Sequence, residues 1–92
     1  DITAFSDERL KTDVKTIPNA LEKVNALRGV TFDKDGKRGL GVIAQEVEKI
    51  LPEVVMDGEE YKSVAYGNIV GVLIEAVKEL TKEVTELKKQ LK

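Results

Sequence analysis

Ser6 and Lys11, set in the run Ser6-Asp7-Glu8-Arg9-Leu10-Lys11, are the residues whose types and spacing point most directly to chemistry. A serine hydroxyl is a weak nucleophile until a neighbour takes its proton, and a lysine amine takes that proton only in its uncharged form. Nearby positive charge favours that form and negative charge opposes it; the surroundings supply Arg9 on one side and Asp7, Glu8 and Asp13 on the other. The same spacing suits an ordinary solvated surface run, so the pair alone leaves both readings open. Geometry adds a condition. Residues five apart lie well round a helix from one another, and on a strand they point to opposite faces. Bringing Lys11 to Ser6 therefore takes a bend in the segment or two separate chains. An oxyanion hole would come from backbone N–H groups, and no sequence pattern places it.

The remaining polar residues carry less. Gln45, Glu46 and Glu48 have the types for metal or acid/base work, but on a short helix after an apolar strand they read as a polar face. Gly36, Gly39 and Gly41 stand outside any GxxxxGK[ST] or GxGxxG context and are turn and strand-edge glycines rather than a phosphate loop. Tyr61 and Tyr66 read as packing residues. No cofactor and no metal is expected.

The elements that must position the pair follow from the pattern downstream. Pro18 suits a first helical turn, Leu21, Val24 and Leu27 recur at helical spacing, and Gly29 supplies a stop. Val30-Thr31-Phe32 reads as a strand, Asp33-Lys34-Asp35-Gly36 as a turn, and Gly39 to Ile43 as a second strand. Ala44 to Leu51 follows as a helix with Ile43, Val47, Ile50 and Leu51 inward, ended by Pro52. Val54-Val55-Met56 and Tyr61-Lys62-Ser63-Val64 flank Asp57-Gly58-Glu59-Glu60 as a hairpin. Before Pro18 no period is firm; Ile2 and Phe5 are candidates for packing, and Leu10, Val14 and Ile17 fit a helix or an irregular extended segment. The class is therefore α+β, a small body of short helices and β-hairpins followed by a long C-terminal helix.

That helix has the strongest pattern in the chain. Val70, Leu73, Val77, Leu80, Val84, Leu87 and Leu91 are spaced alternately three and four apart, as heptad a and d positions on one seam. Glu, Lys, Thr and Gln fill most other positions from Glu75 on, so the stripe asks for partner helices, with Glu83 and Lys88 placed to pair between chains. Such exposed pairs are worth only a few tenths of a kcal/mol, roughly, and set register more than stability. Ile69, Val72, Ile74 and Ala76 widen the apolar face near the start, where the helix is expected to pack on the body. An ordinary core helix is the alternative. Val at a with Leu at d does not by itself choose between two and three strands.

Composition points the same way. With 92 residues, 41% hydrophobic and 35% charged, the chain suits one small domain with little material for a core. Having no Cys and no His, it lacks the usual staples of small domains, which leaves association. A formal net charge of −2 offers no basic field for nucleic acid or anionic lipid. No apolar run approaches the roughly 20 residues of a membrane span, and Asp1 reads as an interior cut from something longer.

Four segments together carry a resemblance: the Ser6 to Lys11 run, Gly41-Val42-Ile43-Ala44-Gln45-Glu46-Val47-Glu48-Lys49-Ile50-Leu51-Pro52-Glu53, Tyr61 to Tyr66, and Leu73 to Leu80. From about Ser6 onward the chain resembles the C-terminal intramolecular chaperone domain of bacteriophage tail spikes and tail fibres, the endosialidase-type self-cleaving Ser/Lys peptidases. The resemblance implies that Ser6 is the nucleophile and Lys11 the base, through the pattern Ser-Asp-x-Arg-x-Lys matched at Ser6, Asp7, Arg9 and Lys11. It makes Gln45 and Glu46 part of the signature and implies contact with upstream substrate. It also implies a homotrimer and an upstream β-structured fibre domain as partner. Further implications are a single cut between Ser6 and Asp7 and action in the host cytoplasm during virion assembly. The expected division is residues 1–6 as fibre end and cleavage region, 7–66 as body and 67–92 as coiled coil. The bond itself raises a geometric problem. A serine attacking its own carbonyl closes a strained four-membered ring, whereas attack on the Phe5 carbonyl closes a five-membered one. A Ser6/Asp7 cut is thus expected across the trimer, and an in-chain reaction at Phe5/Ser6. A permanent, non-catalytic trimerisation or capping module is the alternative function.

Overall fold

The long C-terminal helix organises everything before it. In the computed structural model, which describes residues 3–91, the elements run α1 (Ala20–Asn25), β1 (Val30–Lys34), β2 (Lys37–Gly41), α2 (Ala44–Glu48), β3 (Val55–Asp57), β4 (Lys62–Val64) and α3 (Tyr66–Gln90). Two 3-10 turns punctuate the order, at Glu8–Leu10 and Pro52–Val54. The architecture is α+β: two separate antiparallel hairpins, β1–β2 and β3–β4, with α1, α2 and the β3–β4 hairpin contributing to a core on the first turns of α3.

The first hairpin is set by its turn. Asp35 and Gly36 both take positive φ, 52° and 76°, as a two-residue turn matched to strand twist requires. Lys34 therefore pairs directly with Lys37, and the register runs to Val30 opposite Gly41. Because so short a turn starts β2 at once, the strand covers Lys37–Gly41 rather than the expected Gly39 to Ile43. Val42 and Ile43 are left as the lead into α2.

The second helix is shorter than its apolar spacing implies. It ends at Glu48, although the Leu51 N–H still donates to the Val47 carbonyl at 2.7 Å. Pro52 disfavours helical backbone at the residue before it, and Leu51 accordingly sits at φ −133°, ψ 70°. Val47 and Leu51 point inward as expected and are buried, Ile50 is half-buried, and Ile43 is 36% exposed.

Ala20, Val47, Leu51, Val54, Ile69, Val72 and Ala76 form the core, with Ile17, Leu21, Val24, Leu27, Val42, Val55 and Val64 packed round it. The helix α3 contributes a narrow face spaced three and four residues apart. Beyond Glu79 every described residue of α3 is exposed. The seam from Val70 to Leu87 is 40–61% exposed along its whole length, and Leu91 more so. Its apolar stripe is therefore not the face that the body covers.

Two packing expectations are corrected. Tyr61 is 77% exposed, because β4 begins only at Lys62 and leaves it on the hairpin loop. Phe5 is almost fully exposed, and Leu10 and Val14 are exposed too, since the segment before Ile17 is not covered by the body. Ile2 lies outside the described residues. Tyr66 is half-exposed but anchored: its hydroxyl accepts from the Val42 N–H at 3.4 Å. A Cβ on Gly41 would stand 2.6 Å from that hydroxyl, so the approach requires glycine.

One long-range contact fixes α1 on α3. Asn19, the residue before α1, offers no side-chain cap. In its place Glu79 from α3 accepts from the Ala20 and Leu21 N–H groups at 2.8 and 3.1 Å, filling the role of a cap and complementing the positive helix end. Glu79→Ala is expected to lower stability by about 1–2 kcal/mol, with Glu79→Gln losing less, because two partly buried donors lose their acceptor. Urea unfolding at fixed protein concentration measures it, and unchanged midpoints would show that the carboxylate is only a surface contact.

Candidate active site

The Ser6 to Lys11 run folds on itself through one charged cap. Asp7 is extended, at φ −64°, ψ 135°, and its Oδ1 accepts from the Arg9 N–H at 2.9 Å, an Asx-type cap that starts the 3-10 turn Glu8–Leu10. The guanidinium of Arg9 then grips the same carboxylate in a fork, Nε to Oδ1 at 3.0 Å and Nη2 to Oδ2 at 2.8 Å. Backbone bonds from Leu10 N–H to the Asp7 carbonyl and from Lys11 N–H to the Glu8 carbonyl close the turn.

The bend satisfies the geometric condition within one chain. Lys11 Nζ donates to Ser6 Oγ at 2.8 Å and to the Ser6 carbonyl oxygen at 3.1 Å. The Oγ distance suits proton transfer in either direction: a charged lysine donates there, and an uncharged one accepts the hydroxyl proton. The second contact puts the same nitrogen on the carbonyl of the Ser6/Asp7 bond. Both residues are exposed, so a single chain provides the pair without walls to exclude water.

The neighbouring charges are engaged elsewhere. Arg9, whose fork on Asp7 raises its already high value, holds Asp7 below the usual carboxylate range, through the side-chain bonds first and the backbone N–H second. Asp13 pairs loosely with Lys15 at 3.6 Å, both exposed. Asp7 and Asp13 thus find other cations, while among the described residues Glu8 makes no ion pair.

Gln45 and Glu46 lie elsewhere on the body. Among the described residues no hydrogen bond joins either to Ser6 or Lys11. Glu46 receives the Arg28 guanidinium as a fork, at 2.6 and 3.1 Å, and this pairing lowers the carboxyl below its ordinary value. The contact ties the loop after α1 to α2. Gln45 is exposed on an open groove between the hairpins, beside Phe32, Tyr61 and Tyr66. The seam residues Val70, Leu73, Val77, Leu80, Val84, Leu87 and Leu91 form a separate stripe on α3. Two contacts escape sequence reasoning altogether: the Lys11 bond to the Ser6 carbonyl, and the Glu79 cap, whose partners lie 58 and 59 residues away.

Residues 6–56 match the family model described as chaperone of endosialidase, a match that starts on Ser6 and covers more than half of the 92 residues. The chain belongs to the chaperone of endosialidase family. Its relatives include proteins named long tail fiber protein Gp37. One, from Enterobacteria phage M1, is 38% identical over 99% of this chain and 41% of its own length. Another, from Salmonella phage S16, is 37% identical over all of this chain and 14% of its own length. A third, from Enterobacteria phage Ox2, is 39% identical over 96% of this chain and 40% of its own length. The chain thus spans less than half the length of each. In this member of the chaperone of endosialidase family, the model's match ends inside β3, so α3 lies beyond it.

Asp7 makes the turn sensitive to acid. Its folded value is depressed, so the ion pair supports the turn above the ordinary carboxyl value of 3.8 and that support is lost as pH falls through the depressed value. An NMR titration is expected to find the Asp7 carboxyl titrating below its ordinary value, and Arg9→Ala, which keeps the backbone N–H, to raise it part of the way back. An Asp7 carboxyl that titrates identically in both proteins would show that the guanidinium fork does not form.

Proposed function

We propose that this chain is the removable chaperone domain of a phage tail fibre: a homotrimeric module that registers three upstream β-structured fibre chains and then cuts itself off once. The observation that carries the reading is the 2.8 Å approach of Lys11 Nζ to Ser6 Oγ at the edge where the family match begins. Ser6 is the nucleophile and Lys11 the base that takes its proton, a local pair of the kind used by covalent peptidases. The relatives' printed role in long tail fibres supports a fibre as the upstream partner. The work belongs in the host cytoplasm during virion assembly. Folding a β-structured homotrimer needs slow intermolecular pairing, and a temporary trimer seed shortens that search.

Two features tie cleavage to assembly. The seam is exposed along α3 and needs partner helices, and the pair is exposed and needs walls. We place the cut at Ser6/Asp7, made by a serine from a neighbouring chain, since a serine cannot reach its own carbonyl without a four-membered ring. An in-chain reaction would cut at Phe5/Ser6 instead, and the mass of the released fragment separates the two by one serine.

With the upstream fibre attached, wild type is expected to appear on denaturing gels as two fragments, while Ser6→Ala and Lys11→Ala persist at full length. Full-length wild-type chain that persists in assembled trimers would instead identify a permanent, non-catalytic trimerisation module. The seam has its own test. Leu80→Glu and Val84→Glu alter residues that a single chain leaves 48% and 40% exposed. Body stability should therefore change by no more than about 0.5 kcal/mol, while sedimentation equilibrium is expected to shift the assembly from trimer toward monomer. Unaltered trimer mass in the double variant would place the interface elsewhere.

A further inference from the structure

We infer that Lys11 also acts on the bond being cut, as the hydrogen-bond donor to the carbonyl of its own chain's Ser6/Asp7 peptide, besides serving its own Ser6 as base. The inference rests on the proposed cut across chains and adds a second part for Lys11 in it. Its basis is the pair of contacts at one nitrogen: Nζ lies 2.8 Å from Ser6 Oγ and 3.1 Å from Ser6 O. Ser6 Oγ cannot attack that carbonyl itself, so the carbonyl contact has no use for an outgoing attack by the same chain. It is a contact suited to an incoming one. An uncharged amine has one lone pair to take a hydroxyl proton and N–H groups left to donate, so the two contacts are compatible.

The atoms balance with water as the only co-reactant. Ser6 Oγ of the attacking chain bonds to the Ser6 carbonyl carbon of the cut chain, and its proton passes to the attacking chain's Lys11. The carbonyl oxygen becomes an oxyanion held by the cut chain's Lys11 N–H. Collapse breaks the bond to Asp7 nitrogen, which takes the proton from the attacking chain's Lys11. An ester then joins the cut chain's Ser6 carbonyl to the attacking serine. Water adds to that ester, leaving a carboxyl at Ser6 and restoring the attacking hydroxyl.

Each chain thus needs Ser6 and Lys11 to attack, but only Lys11 to be attacked. Co-expressing two fibre-bearing chains with tags of different size, in mixed trimers, reads the two parts separately. Ser6→Ala chains mixed with wild type are expected to be cut. Lys11→Ala chains mixed with wild type are expected to be cut about 100-fold more slowly than Ser6→Ala chains, or slower still, the usual loss when an oxyanion donor is removed. Lys11→Met, which keeps the stem, should match Lys11→Ala. Lys11→Arg donates but does not accept, so it should recover as a target to within roughly tenfold of Ser6→Ala. Cutting of Lys11→Ala chains as fast as Ser6→Ala chains would overturn the inference and leave the proposed function standing. Uncut Ser6→Ala chains in every mixed trimer would overturn attack across chains and this inference with it. Uncut wild type in trimers would remove the peptidase reading as a whole.

Discussion

The constraint on which the rest depends is that α3 carries two apolar faces and the body fills only one. Ile69, Val72 and Ala76 are buried against the rest of the chain, while Val70, Leu73, Val77, Leu80, Val84 and Leu87 stay half-exposed. At 100° per residue the two faces are centred roughly 80° apart, adjacent rather than opposite. A body seated on the first face therefore stands beside the second instead of covering it. In the proposed trimer, adjacent faces would let each protomer keep its body outside a shared helical core. Glu79 marks the change: its carboxylate makes the last hydrogen bonds from α3 to the body, holding the start of α1, and past it every described residue of the helix is exposed.

The chemistry is assembled on a different scale. Ser6 and Lys11 meet through bonds that span at most five residues: the Asx cap, the Arg9 fork and one 3-10 turn. Nothing in the core is needed to form it. Charges in such an exposed site interact through water, which screens most of their attraction. A site of this sort orients well and stabilises a transition state poorly until something excludes solvent. On the proposed function, orientation comes from the turn and shielding would come from the assembly.

Much of this was legible in the sequence because it is periodic or local. The α+β order, a turn ending at Gly36 and the seam all follow from spacing or from residues with special backbone behaviour, whereas β1 runs on through Asp33 and Lys34 and α2 ends at Glu48, short of the expected Leu51. The bend joining Lys11 to Ser6 was legible as a requirement, since no helix or strand meets it, but a three-residue turn has no period to predict. Glu46 was read through the family signature, yet its partner Arg28 lies 18 residues back on another element. Glu79 looked like one more solvated acid of a heptad helix, because its partners are backbone N–H groups that no sequence pattern advertises. Tyr61 read as a strand residue and stands on a loop, since hairpin ends shift by a residue without disturbing the alternation inside.

Order of events follows from these scales. A local turn forms in far less time than three chains need to find one another, so in the proposed trimer the Ser6–Lys11 pair would form before assembly. If the pair sufficed, chains would be cut before they had folded anything, and a chaperone that leaves first is useless. On the proposed function, something present in the lone chain must hold the cut back until a second chain arrives. The four-membered ring barring Ser6 from its own carbonyl is such a restraint, built into covalent geometry rather than into any element that a mutation could loosen. On the proposed cut across chains, it keeps the Ser6/Asp7 bond out of reach of that chain's own serine, however well the turn is made, until a second chain is brought alongside.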